Sequence, residues 1–283
     1  MARKGSSWRV MMAVMVLGVA TPSAHAFSQA DLTGKIAFAS KSSGNWDIWV
    51  MAANGSWAKR LTTSSAPDVD PRFSPGGSKI LFSTVRGGKH EIRVIGVDGT
   101  GEKRICAGDQ ADWAPNGKSI VFRRNWQIVT RNLASGAEEV ISPPMWKHCV
   151  APAWCPDGNR IAFAARLVAG YSIYVLNLAT NKRHVVVGEH GSCEPHWSPS
   201  GNKIAYQTET HIFTINPDGT SKRQVTTQAG IQHFPEWSPS GNQIVYSQGS
   251  SPDGPWVLYA MSASGGTPVK LLKSGSPMNP DWH

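Results

Sequence analysis

A phrase that recurs with small changes along the whole chain limits what this sequence can fold into more than any other feature. Its clearest form is 194–206, Glu-Pro-His-Trp-Ser-Pro-Ser-Gly-Asn-Lys-Ile-Ala-Tyr, and 234–246 is nearly a copy. Looser versions occupy 151–163, 110–122 and 70–82. A sixth is split between the ends: the chain stops at Asn279-Pro280-Asp281-Trp282-His283, and the missing half, Gly34-Lys35-Ile36-Ala37-Phe38, stands near the start. The aromatic residues at the phrase centre (Phe73, Trp113, Trp154, Trp197, Trp237 and Trp282) are separated by 40, 41, 43, 40 and 45 residues. Self-similarity at a fixed period decides architecture before length does, and a copy divided between the termini predicts a closed ring.

Each repeat reads as four short strands. In the first, Lys35 to Ser40 is β-rich, 41–45 is turn chemistry, and 47–51 (Asp-Ile-Trp-Val-Met) is a second run. An Asn54-Gly55 hairpin turn follows, then a third run at Lys59-Arg60-Leu61-Thr62, and a loop leads to Pro71-Arg72-Phe73, which opens the next repeat. No helical periodicity appears after residue 26. Four strands per unit of about 40 residues match a propeller blade. The predicted fold is all-β: a six-bladed β-propeller of four-stranded blades, closed by the C-terminal strand pairing with the N-terminal strands. An open array would leave apolar blade faces and a sheet edge in water. The phrase aromatics are therefore expected in the core.

Residues 1–26 read as a secretory signal: a basic start, the apolar run 10–20, Pro22, and the small-residue site Ala24-His25-Ala26. The run is too short to span a bilayer, which takes roughly 20 residues as a helix. Expected from this are a short segment at 27–34, a propeller over 35–283, a periplasmic or secreted location, and no membrane insertion after cleavage. Formal charge is +9, or +6 without Arg3, Lys4 and Arg9. The basic residues are scattered through turns and strand ends rather than gathered on one face, which argues against nucleic acid. Four cysteines in an exported chain raise disulfides. Cys106, Cys149 and Cys193 precede phrase tryptophans in three successive repeats, so Cys149–Cys193 is the favoured pairing, with Cys155 equally readable as a buried thiol.

With these residues in view, the chain resembles the TolB-type propellers. The motifs that carry the likeness are Asp47-Ile48-Trp49-Val50-Met51, Asn54-Gly55-Ser56 and Lys59-Arg60-Leu61-Thr62, together with Pro-x-Trp-Ser-Pro-x-Gly-Asn from Pro195 and from Pro235. The likeness covers roughly 35–282 and is specific for fold. It implies a non-enzymatic periplasmic module that binds a protein or peptide of the cell envelope, here in the form of the propeller portion without the α/β domain that precedes it in that family. A monomer is expected.

No nucleophile elbow, His-Glu-x-x-His or phosphate-binding loop occurs, so no catalytic residue or cofactor is assigned. Propellers build sites from loops remote in sequence, and the connections into the Pro-x-Trp strands are expected to converge at one mouth of the central channel. From them Asp70, Arg72, Asp112, Trp146, His148, Glu194, His196, His233, Glu236 and Asp281 are the candidate partner-binding residues. Carboxylates and imidazoles also suit a divalent metal, although their spacing fits no local ligand pattern and no metal residue is assigned. The alternative function is accordingly a metal-assisted lyase or hydrolase acting on an oligosaccharide at that mouth. Trp146, in a Pro-rich connection, is expected as an exposed interface anchor.

Overall fold

The computed structural model describes residues 27–146, 148–166, 170–188, 191–272 and 275–283; the signal sequence predicted over 1–26 lies outside them. The described chain forms six sheets of four antiparallel strands. We number the blades by their innermost strands: Met278–Trp282 (blade 1), Asp68–Phe73 (blade 2), Asp109–Trp113 (blade 3), Cys149–Trp154 (blade 4), Cys193–Trp197 (blade 5) and Ile231–Trp237 (blade 6). Blade 1 closes the ring as expected. Its inner strand comes from the C-terminus and its other three, Lys35–Ser40, Asp47–Ala52 and Ala58–Arg60, from the N-terminus. Ile36 pairs with Trp282 and Ala37 with Asp281. The backbones of Lys35 and His283 exchange both N–H···O bonds, at 2.6 and 2.8 Å.

Strand period sets where the core lies. Alternate residues point to opposite faces, and both faces of each blade are covered by neighbours, so both are apolar. Ala37, Ala39, Ile48 and Val50 pack towards blade 2 against Phe73, Ile80 and Phe82. The residues between them, Ile36, Phe38 and Met51, pack towards blade 6 against Val245, Leu258 and Ala260. The remaining seams repeat this scheme, so the core is a ring of six interblade clusters. Residues 27–34 are part of it: Leu32 is 3% exposed in the blade 6–blade 1 seam, and Gln29 Nε2 donates to the Asn54 carbonyl at 2.8 Å.

Three of the phrase tryptophans clamp neighbouring blades together, whereas Trp154 bonds the Gly158 carbonyl in a turn of its own blade and Trp282 the Thr33 carbonyl. Trp113 Nε1 donates to the Arg72 carbonyl (3.2 Å), Trp197 to Ala153 (3.1 Å) and Trp237 to His196 (3.1 Å), each reaching the inner strand of the preceding blade. An indole so placed buries its ring and satisfies its only donor at once.

The cysteine expectation is corrected. Cys149 and Cys193 begin inner strands, but Cys106 lies in the outermost strand of blade 2, Lys103–Ala107, and all four are free thiols. Cys149 faces the blade 3–blade 4 seam, whereas Cys193 packs with Val150 and Ala151. Their side chains serve different clusters. Burial pushes the Cys149 and Cys155 thiols up to about 11 and Cys193 to about 12.

Candidate functional site

All six inner strands carry the same irregularity, and it shapes the channel. Two residues are skipped in the pairing with the second strand, as between Val69 and Arg72 or Cys193 and His196. The first skipped residue is left-handed in every blade: Asp70, Gln110, Ala151, Glu194, Phe234 and Asn279 have φ between +49° and +57°. The second is Pro in five blades and Ala111 in the sixth. A proline has no N–H to lose from the ladder, which is why it is tolerated at a bulge on an edge strand. The left-handed backbone costs a non-glycine residue about 1–2 kcal/mol. Part of that cost is offset by side chains that bind the bulge N–H groups: Gln110 N donates to Ser83 Oγ (2.9 Å), Ala151 N to Gln110 Oε1 (3.1 Å) and Phe234 N to Gln207 Oε1 (2.7 Å).

The bulges produce two levels of side chains along the channel. The first consists of the left-handed residues. Asp70, Gln110, Ala151, Glu194 and Asn279 line a small cavity of about 20 Å³, with Arg72 and His196 at its base. Those two belong to the second level, formed two residues later in each strand by Arg72, Asp112, Ala153, His196, Glu236 and Asp281. Arg72 reaches from blade 2 to the opposite blade 5, where Nη2 lies 3.0 Å from His196 Nε2. On the way its Nη1 comes within 3.6 Å of Asp281 and 3.7 Å of Glu236. His196 Nδ1 stands 2.9 Å from Glu236 Oε2. The bonds assign the tautomer: Nδ1–H donates to the carboxylate and Nε2 accepts from the guanidinium. The carboxylates also bind backbone N–H groups, Asp281 that of Phe73 (2.6 Å) and Asp112 that of Trp154 (2.7 Å), so this level joins neighbouring blades as well as crossing the channel.

Burial governs the protonation of these groups. It raises Glu194 and Glu236 to about 7, and Asp112 and Asp281 to about 6; the nearby Arg72 charge opposes the rise in each case. Burial, and then Arg72, lowers His196 to about 3, so its ring is neutral at all ordinary pH. With Asp70, also raised by burial, five carboxyl groups surround one guanidinium.

Seven of the ten candidate residues therefore meet inside the channel: Asp70, Arg72, Asp112, Glu194, His196, Glu236 and Asp281. Only Asp70 and Glu194 of these stand at the outer level. Arg72, Asp112, His196, Glu236 and Asp281 were expected at the mouth, and instead lie deeper and satisfy one another. His148 and His233 are on the upper face, where the inner strands begin. His233 stacks on Trp256 at 5.4 Å between ring centroids, with Phe234 edge-on to the same indole. Trp146 departs from expectation: it is half-buried against Tyr174 (4.4 Å) and Phe163 (6.1 Å) in the blade 3–blade 4 seam. Its neighbour Met145 is the exposed residue there, at 90%.

One residue absent from the candidates stands out. Trp126, at a hairpin tip on the upper face, is 46% exposed and has φ +63°, where glycine is favoured. Arg123 lies over its ring at 4.6 Å, and the His148 ring packs against it at 4.8 Å. Arg123 is in turn fixed to Asp109 by two 2.6 Å bonds. The tripeptide Arg124-Asn125-Trp126, with Trp where a two-residue hairpin normally takes Gly, was the available signal. Among the described residues, no three His, Cys, Asp or Glu side chains are placed to hold a metal ion together, and no helix is long and apolar enough to cross a membrane.

Known proteins agree with this architecture. The family profile described as "TolB beta propeller domain" matches residues 18–149 and 144–283. The chain is 31% identical over 264 residues to a Protein TolB homolog of Chlorobium luteolum, covering 87% of this chain and 59% of that protein. It thus spans about three-fifths of that relative's length. Among solved structures, TolB from Acinetobacter baumannii superposes with a TM-score of 0.77 at 18% identity, over 88% of this chain and 66% of that one. An oligogalacturonate lyase in complex with manganese superposes with a TM-score of 0.55 at 16% identity, over 85% of this chain and 74% of that one, a likeness of fold alone. The repeated phrase, the ring closed through blade 1 and the match along nearly the whole chain lead to one conclusion: this protein belongs to the TolB β-propeller domain family.

Proposed function

We propose that this chain is an exported, non-enzymatic propeller module that binds a protein or peptide partner of the cell envelope at the upper mouth of its channel. The observation that carries the reading is the outer level of the channel. Six equivalent positions share one strained backbone geometry yet carry six different residues of four chemistries, the carboxyls Asp70 and Glu194, the amides Gln110 and Asn279, Ala151 and Phe234. Three residues further on every blade carries Phe or Trp, so the variation falls where a ligand's side chains can enter. Strain of this kind is concentrated at functional sites in folded proteins.

The chemistry of the mouth defines what would fit. Asp70 and Glu194 give the mouth carboxyl walls on the opposite blades 2 and 5, and Phe234 with His233 and Trp256 gives blade 6 an apolar wall. Trp126 is held out on the rim by Arg123 and His148, an arrangement that spares the entropy of ordering an anchor on binding. A peptide with a basic and an apolar side chain close together satisfies both kinds of wall. The level below is committed to internal contacts and serves as a floor.

The test is capture from envelope extract by the full chain and by rim variants. Trp126→Ala, Glu194→Gln and His233→Ala are expected to reduce recovery of one specific protein about tenfold or more when combined. Equal recovery by wild type and the combined variant overturns the reading.

The second reading, metal-assisted cleavage of an oligosaccharide, draws on the fold shared with a manganese-containing lyase. The described residues fit it poorly, since His196 has both ring nitrogens engaged. Metal analysis after purification without chelator, with thermal shifts on adding Mn²⁺, Ca²⁺ or Zn²⁺, separates the two.

A further inference from the structure

At three of the six seams neighbouring blades are stitched at their outer rims by one kind of contact. Blades 3 and 6 carry Glu139 and Val269 at the stitching position, and at the seam between blades 2 and 3 the cation is present without the contact. Lys59, at the start of the outer strand of blade 1, donates to the Asp98 carbonyl in a turn of blade 2 at 2.6 Å. His184 of blade 4 bonds the Pro217 carbonyl of blade 5 at 2.8 Å, and Arg223 of blade 5 bonds that of Ser264 in blade 6. Lys103 occupies the place of Lys59 in blade 2: Lys59 pairs with Val50, and Lys103 with Val94, the matching residue of the second run. Yet its ammonium has no partner among the described residues. Between blades 2 and 3 the rim opens into a cleft of about 810 Å³.

The lining of this cleft is one-sided. Lys79, Lys103 and Lys118 border it without side-chain partners among the described residues, two arginines join them, and no Asp or Glu lines it. Val94, Ile105 and Leu133 supply the apolar floor. Other clefts differ: that between blades 3 and 4 sets Glu139 against Arg183, and that between blades 5 and 6 is walled largely by serine and asparagine. Lys103 and Ile105, two apart on one strand, both face the cleft, so cation and apolar contact alternate with the period of an extended chain. Their strand is the outermost of its sheet and has no neighbour on its far side.

We propose that this cleft is a second docking site, separate from the channel, for an acidic peptide segment bound in extended form with alternating acidic and aliphatic side chains. The carboxylates pair with Lys79, Lys103 and Lys118. The aliphatic side chains rest on Val94, Ile105 and Leu133, and the free sheet edge offers its backbone to the peptide.

Fluorescence anisotropy with the full chain tests this. The probe is a fluorescein-labelled hexapeptide Glu-Val-Glu-Leu-Glu-Val, with Lys-Val-Lys-Leu-Lys-Val as its control. The acidic peptide is expected to bind and the basic one not. Combining Lys79→Glu, Lys103→Glu and Lys118→Glu is expected to weaken binding about tenfold or more, while Lys59→Glu, at a stitched seam, leaves it within about twofold. These lysines are exposed, and circular dichroism of the triple variant checks that it folds. Ile105→Gln supplies an uncharged variant that is also expected to weaken binding. The proposal fails if the acidic peptide does not bind, or if the triple variant binds it as tightly as wild type does. It also fails if the three lysines are needed instead for binding phosphatidylglycerol vesicles or oligogalacturonate in the absence of peptide binding.

Discussion

Replacing Arg72 by Met removes the only guanidinium among the described residues that crosses the channel and keeps a side chain of similar length. Arg72 is 14% exposed at its side chain, and its partners Glu236 and Asp281 are 12% and 13%. Breaking a buried charge contact by deleting one partner costs about 3–5 kcal/mol, because the remaining charge stays buried. At this chain length that corresponds to a fall in Tm of roughly 10 °C. The cost has a definite pH dependence. Burial already holds Glu236 near 7 and Asp281 near 6, above their unfolded values, and Arg72 restrains the rise. Without Arg72 both move higher. A carboxyl raised on folding destabilises when ionised, above its folded pKa, and that loss disappears as pH falls towards its unfolded pKa. The deficit of Arg72→Met should therefore be larger at about pH 8 than at about pH 5, and His196, which Arg72 helps to hold low, moves up in the variant and shrinks the deficit further at the acid end. Differential scanning calorimetry of the two proteins at both pH values measures it. An unchanged Tm, or a deficit independent of pH, would refute the charge network as the source.

Three other consequences can be checked by simpler means. Trp197→Phe keeps an aromatic ring but loses part of the buried indole and its bond to the Ala153 carbonyl, and should cost about 2 kcal/mol or more in urea unfolding; Trp57→Phe, at an exposed position, should cost nothing measurable. Deleting 277–283 removes the inner strand of blade 1 and should abolish cooperative thermal unfolding, because both the sheet and two interblade seams lose their centre. With four free thiols, alkylation in denaturant without reductant should add four adducts by intact mass, and alkylation of the folded protein should be slow because burial raises each thiol; two adducts in denaturant would establish a disulfide.

The architecture was legible because the features that specify it are local and repeated. Pro-x-Trp marks an edge strand next to an aromatic clamp, Asn-Gly marks a hairpin, and the split phrase at the two ends marks closure. The site was only half legible. Composition pointed to the inner strands, and seven of the candidate residues do meet there, but their depth depends on the bulge, which no single residue type announces. Side chains as different as Asp70 and Phe234 take the same left-handed backbone because the ring imposes it. Cys149 and Cys193 read as equivalent connections, but Cys149 stands two residues before the left-handed residue of its blade and Cys193 one before, and that offset turns their side chains to opposite faces. Trp146 was misplaced for a related reason: its Pro-rich connection folds back onto Tyr174. Trp126 falls outside the phrase and is not among the candidates, because its exposure follows from a hairpin in which Trp stands where Gly is usual.

On the proposed function it is the upper face, not the lower, that meets the partner. Trp126 and Trp57 offer a matched pair for testing it, 46% and 45% exposed on opposite faces of the ring. A benzophenone amino acid placed at each position in turn, followed by irradiation of intact cells, reads out what lies beside it. A discrete protein adduct is expected from position 126 and none from position 57; an adduct from 57 alone, or none from either, would contradict the proposed function.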